Sequence, residues 1–177
     1  HGPSRELVLH AVALDFDRAR VGAGGAEAPA SRLLRVRRIV HHGIMFTSEV
    51  VTRGIRVFVS AEFSPERSRP ADGHWFFLYT ITITNDGDET VQLLARHWWV
   101  TDASGQTDEY KGTGVVGEQP LLGPGQSFEY TSGTPLDTPS GFMAGAYHMV
   151  VTASGETFDA VIAAFSLDSP HQSGRIN

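Results

Sequence analysis

The sequence predicts an all-β fold, a fibronectin type III/immunoglobulin-like antiparallel β-sandwich of about seven to eight strands with an N-terminal extension. Three observations carry this. Apolar and polar residues alternate with period two along most of residues 46–170. Clusters of Gly, Pro, Asn and Asp interrupt that alternation at intervals of roughly 8–15 residues. No stretch of this region keeps the 3.6-residue period of a packed helix.

The first clear strand runs over Arg53–Phe63, where Ile55, Val57, Val59, Ala61 and Phe63 share a face and Arg56, Ser60 and Glu62 take the other. Ser64–Gly73, with Pro65, Pro70 and four charges, is a surface loop. His74–Asn85 is aromatic and β-branched, hence a strand, and Asn85-Asp86-Gly87-Asp88 has the composition of a positive-φ hairpin turn. Val91–Thr101 follows as a strand. Strict alternation sets Leu93, Ala95, His97 and Trp99 against Leu94, Arg96, Trp98 and Val100.

Asp102-Ala103-Ser104-Gly105 is a tight turn, Thr107–Tyr110 a short strand, and Lys111–Gly117 a glycine-bearing run. Gly123-Pro124-Gly125 introduces a strand at Gln126–Thr131, and Thr131–Gly141 reads as a long polar loop. Phe142–Thr152 and Thr157–Leu167 are strands joined by a hairpin turn at Ser154-Gly155.

Charge separates the chain into a leader and a body. Overall, 14 basic and 20 acidic side chains give −6. Residues 1–45 hold seven Arg against four acids, a net +3, whereas residues 46–177 carry −9. The domain expectation is an extension over 1–45, the sandwich over 46–170 and a tail over 171–177. His1-Gly2-Pro3-Ser4, without an initiator Met, is taken as tag-derived or as a truncation point. Arg5–Val21 fits a helix or a strand, 21–31 is Gly/Ala-rich and flexible, and Ser31–Met45 is basic and aliphatic, a tail or a packing segment before a membrane-touching one.

The composition excludes several function classes. Without Cys there is no disulfide, thiol nucleophile, thiolate zinc site or iron–sulfur cluster. An acidic body opposes nucleic acid as a partner, and no run of about 18 apolar residues spans a bilayer. The expected compartment is the cytoplasm, or an organelle if the basic leader follows a removed targeting segment. His41-His42, His74, His97 and His148 form no HExxH or HxH arrangement, so neither metal nor cofactor is expected. There is no GxSxG elbow and no SxxK, and the chain is expected not to be an enzyme.

Ala95–Val150 closely resembles the ApaG family in the stretches RHW, GxGVVGEQP, PGxxFxYTSG and TPSGxMxGxY, and the likeness extends over about residues 50–168. The resemblance implies a fibronectin-like antiparallel sandwich. It also implies a genetic link to cobalt and magnesium efflux for bacterial members. In eukaryotic members it implies a protein-binding module of F-box ubiquitin-ligase subunits and of a DNA-polymerase-delta-interacting protein. Residues 1–45 depart from the bacterial pattern, and Ser48–Val57 is similar to the lead-in of the polymerase-interacting relatives.

Two candidate sites follow from the residues. Gly112-Thr113-Gly114-Val115-Val116-Gly117 matches GxGxxG, but Glu118-Gln119-Pro120 cannot open the helix of a dinucleotide fold. A tight inter-strand loop is expected. An anion-binding version stays open, in which Gly112, Gly114 and Gly117 shape a nest of backbone N–H groups for pyrophosphate or nucleotide, beside Lys111, Glu118, Thr131 and Ser132. The second candidate is aromatic. Trp98 and Trp99 face opposite ways, so one of them leaves the core, and Trp98 with Arg96 is the candidate protein-binding anchor. A protein partner bound through the Gly-rich loop face is the leading expectation, with small-anion sensing as the alternative.

Overall fold

Two antiparallel sheets face each other across an apolar core in the computed structural model, which describes residues 20–22 and 44–170. The strands are β1 Arg20–Gly22, β2 Phe46–Thr52, β3 Ile55–Phe63, β4 Trp75–Asn85, β5 Val91–Asp102, β6 Thr107–Thr113, β7 Leu121–Leu122, β8 Ser127–Leu136, β9 Ser140–Val151 and β10 Thr157–Asp168. One sheet has the order β1-β8-β4-β3-β2 and the other β10-β9-β5-β6, with β7 pairing β5. This is the fibronectin-like sandwich, and eight of its strands have seven or more residues. Residues 64–74, expected as a surface loop, hold two short 3₁₀ turns, each opened by a proline, at Pro65–Arg67 and Pro70–Asp72. The expectations for the leader fall outside the described residues, apart from Arg20–Gly22, which forms a strand, and Ile44 and Met45, which are exposed.

Inward residues follow the period-two pattern. Ile55, Val57, Val59 and Ala61 of β3 meet Phe77, Tyr79, Ile81 and Ile83 of β4 on one side of the core. Trp98, Val100, Met143, Tyr147, Met149, Ile162 and Phe165 fill it from the other sheet.

Strict alternation fails within β5. A bulge between Leu93 and Ala95 inserts one residue, Leu94, opposite β9, so Val91 and Leu93 point inward and so do Trp98 and Val100. The expected common face of Leu93 with Trp99 is therefore corrected. Asn85–Asp88 is also not a hairpin turn: β4 and β5 lie in different sheets, and Gly87 does not take a positive φ. Positive φ falls instead on Arg53 and Gly54, which turn β2 into β3. Strand β2 itself went unread, because its half-buried edge alternates Thr, Ser and Glu with few aliphatics.

The two long sides of the sandwich differ. Along one, β2 is fastened to β10. The Ser48 hydroxyl donates to the Ala163 carbonyl at 2.8 Å, the Val161 N–H donates to Thr52 Oγ1 at 3.1 Å, and Arg53 pairs with Glu156 at 3.0 Å. On the opposite side, β8 and the β5–β6 edge stay apart, and a cleft opens between them.

Candidate binding cleft and outer face

The cleft has a volume of about 90 Å³ and is lined by Tyr79, Arg96, Trp98, Val115, Val116, Gly117, Tyr130 and Ser132. Each side chain reaches it through a specific local device. Arg96 and Trp98 point inward because the Leu94 bulge sets their phase. Tyr79 and Ser132 are directly paired across β4 and β8, so both project to the same inner face. Tyr130 lies two residues before Ser132 on that face.

The GxGxxG run is the seat of Arg96. At Gly112 a Cβ would lie 2.6 Å from Arg96 Nη2, so only a glycine lets the guanidinium lie flat against β6. From there Arg96 Nη1 donates to the carbonyls of Thr113 at 3.1 Å and Gly114 at 2.8 Å. No carboxylate among the described residues pairs with Arg96. Gly114 takes φ +63°, and a Cβ there would meet the Glu118 carbonyl oxygen at 2.2 Å.

The loop after Gly114 is anchored on the bulge. The Leu94 carbonyl accepts from the Gly114 N–H at 2.8 Å and from Gln119 Nε2 at 3.0 Å. Val115 and Glu118 then exchange both backbone hydrogen bonds, at 2.8 and 2.9 Å. The Gly114, Val115 and Glu118 N–H groups are thus committed inside the protein, and side-chain donors gather in the cleft beside the loop.

A chain of hydroxyls crosses the cleft floor. Tyr130 and Tyr147 share a short hydrogen bond, and Ser132 stands directly opposite Tyr79 across β4 and β8. Burial pushes all three tyrosines above their ordinary range, while the charge of Arg96 draws each back down, which places a cation within electrostatic reach of every hydroxyl. Trp98 is fully buried, packed at 5.4 Å from Tyr79 and 6.0 Å from Phe165, and its Nε1 has no hydrogen-bond partner among the described residues. As a surface anchor for a protein, Trp98 is corrected: it is a core residue. Among the described residues, no His, Asp or Glu lines the cleft.

The other sequence candidates lie elsewhere. Thr131 points to the outside of its sheet and pairs with Thr80 at 2.8 Å. Glu118 is exposed. Lys111 stands on the outer face of β6, 3.6 Å from Glu109. That outer face holds the exposed member of the tryptophan pair. Trp99, 37% exposed, stacks on His97 with ring centroids 3.8 Å apart, and His97 Nε2 meets Glu109 at 2.5 Å. The bond from His97 holds the Glu109 carboxyl below its usual range. Asp108 and Glu109 belong to β6, within the short strand expected at Thr107–Tyr110. Beside Trp99 and His97 lie Ala144 and Ala146 of β9, and around them Phe142 at 48% and Val161 at 44% exposure. Sequence periodicity left open which tryptophan faces out, and the small Ala floor gave no signal at all.

Among the described residues, no three His, Asp or Glu side chains group as a metal would need, and no helix is long and apolar enough to cross a membrane.

Comparisons with known proteins agree with this architecture. The family model described as ApaG domain matches residues 65–151. "Protein ApaG" of Bradyrhizobium sp. (strain ORS 278) is 62% identical over 120 residues, covering 68% of this chain and 92% of that protein. "Protein ApaG" of Rhodospirillum centenum is 59% identical over 127 residues, covering 72% and 97% respectively. The crystal structure of the putative ApaA protein from Bordetella pertussis aligns with a TM-score of 0.64 at 46% identity, covering 66% of this chain and 94% of that one.

Proposed function

The chain belongs to the ApaG family, and from that premise we propose that it is a non-catalytic binding module that engages a protein partner through the outer face of the β10-β9-β5-β6 sheet. One observation carries this reading. Trp99 stands on a flat floor of Ala144 and Ala146, exposed together with Phe142 and Val161. A contiguous apolar patch with a tryptophan at its centre has the composition of an interaction hot spot. Charged and polar groups rim it, with Glu109 and Lys111 on β6 and the His148–Asp159 pair, 2.9 Å apart, across β9 and β10. This reading moves the expected binding surface from the Gly-rich loop to the sheet beside it.

The test is affinity purification from cells with the wild-type chain and Trp99→Ala, followed by titration of the captured protein. Loss of about 2 kcal/mol or more of binding with an unchanged melting temperature is the expected result. A partner that binds both forms equally would move the interface away from this face.

A further inference from the structure

The cleft on the other side of the β5–β6 sheet presents a different chemistry from the outer face, and every polar side chain lining it is a donor or carries a hydroxyl. Arg96 supplies a guanidinium whose Nη1 is held by two backbone carbonyls, with Nε and Nη2 carrying no hydrogen bond among the described residues. Trp98 adds an indole N–H with no acceptor among the described residues, on a side chain that is fully buried. Tyr79, Tyr130 and Ser132 contribute hydroxyls that rotate to donate. A buried donor left without an acceptor is unfavourable, and an ordered water or an ion is one of the things that satisfies such a group. We propose that this cleft is a receptor for one compact oxyanion, a phosphate ion or the terminal phosphoryl group of a larger molecule, held by Arg96, the Trp98 indole N–H and the tyrosine and serine hydroxyls.

Size and charge select this class. Sites for drug-sized ligands span about 300–1,000 Å³, so a cleft of about 90 Å³ excludes a nucleoside. One water needs roughly 10–15 Å³ on the same measure, which leaves room for the several oxygens of a tetrahedral anion. Among the described residues the lining carries a cation and no carboxylate, so an anion meets attraction without repulsion from it. Arg96 is oriented in advance: the fork lies on Gly112, and its Nη1 is fixed by Thr113 and Gly114. The glycine motif therefore serves an anion indirectly, by seating the arginine.

The full chain is titrated with inorganic phosphate and, separately, with methyl phosphate, against sodium chloride at matched ionic strength, while the three indole N–H resonances are followed by NMR. The expected result is a saturable shift confined to Trp98, with Trp75 and Trp99 unmoved. Tighter binding of methyl phosphate than of phosphate identifies a terminal phosphoryl group, and the reverse identifies the free ion. Arg96→Gln is expected to weaken binding at least tenfold. Should that variant fail to fold, Gly112→Ala, whose Cβ displaces only the flexible end of Arg96, is expected to fold and to weaken binding likewise. Trp99→Ala is expected to bind phosphate as wild type does. Absence of a saturable Trp98 shift at tens of millimolar phosphate overturns the proposal, as does undiminished binding in a folded Arg96→Gln or Gly112→Ala protein.

Discussion

Trp98 and Trp99 are adjacent in the chain and opposite in every physical respect. Trp98 packs between Tyr79, Tyr147 and Phe165, so Trp98→Ala removes a core side chain and leaves a void. A loss of about 3–5 kcal/mol is expected in denaturant unfolding. Trp99→Ala is expected to stay within about 1 kcal/mol, because the indole lies on the surface against His97 and small alanines. Glycines divide in the same way. Gly114→Ala meets both a left-handed backbone and a carbonyl at 2.2 Å, and a loss of about 1–3 kcal/mol is expected. Gly112→Ala meets only the end of a side chain, so thermal melting should barely change. From sequence, the opposite orientation of the two tryptophans was legible, since a strand has period two. Their assignment to inside and outside was not, because a bulged residue is invisible to periodicity. The meaning of GxGxxG was hidden for a similar reason: its first glycine, Gly112, answers to Arg96, 16 residues earlier, which spacing cannot reveal.

Single residues also decide how elements join. Asn85, buried at the end of β4, donates from Nδ2 to the carbonyls of Glu89 at 2.7 Å and Leu122 at 3.0 Å, and its Oδ1 accepts from the Gly87 N–H at 3.0 Å. It thereby ties the crossing from one sheet to the other onto β7. Asn85→Ala strands several of these groups at once, and a loss of about 2–4 kcal/mol is expected in chemical denaturation. Asn85→Asp removes the two donors while keeping the acceptor, so it should lose comparably near neutral pH. The Asn-Asp-Gly-Asp run was legible as a change of direction; its pairing partner was not, since hairpin and crossover share a turn composition. Strand β8 shows the complementary failure. It continues past Thr131 to Leu136 where a polar loop was expected, because Ser132 and Thr134 occupy inward positions and make alternation by hydroxyl rather than by methyl. Gly133 belongs there for close approach, with the Phe76 ring 2.5 Å from where its Cβ would be. The strands rich in Val, Ile and aromatics were placed to within a residue or two, because burial of a β-branched row leaves few other arrangements.

Across the whole molecule the polar interior governs behaviour in base. Tyr79, Tyr130 and Tyr147 are held neutral by burial, which raises each above the ordinary phenol range near 10. Below that range the hydroxyls are protonated in folded and unfolded chains alike, and their contribution to stability is fully present. As pH rises beyond it the unfolded chain ionises while the folded one does not, so stability falls by roughly 1.4 kcal/mol per pH unit for each tyrosine. All four tyrosines of the sequence are shifted upward, Tyr110 by burial and by the nearby Asp108 and Asp137. Ultraviolet titration should therefore show little tyrosinate near pH 10, then a cooperative rise that coincides with loss of near-ultraviolet circular dichroism. Gradual ionisation of three phenols with the fold intact would contradict the packing described. The sandwich itself was legible from its turns and alternation, whereas the contrast between a fastened side and a cleft side was not, because it depends on which strands become neighbours across the core.

The bulge at Leu94 gives the chain one residue that the sheet does not count. From Ala95 onward β5 pairs with β9 as it would if Leu94 were removed and Leu93 joined directly to Ala95. Every face, Trp98 inward and Trp99 outward, would survive that deletion. What would vanish is the one carbonyl that Gly114 and Gln119 both grip. A chain shortened by this residue is therefore a natural dissection: the same sandwich with the same outer surface, and a cleft whose roof has lost its mooring.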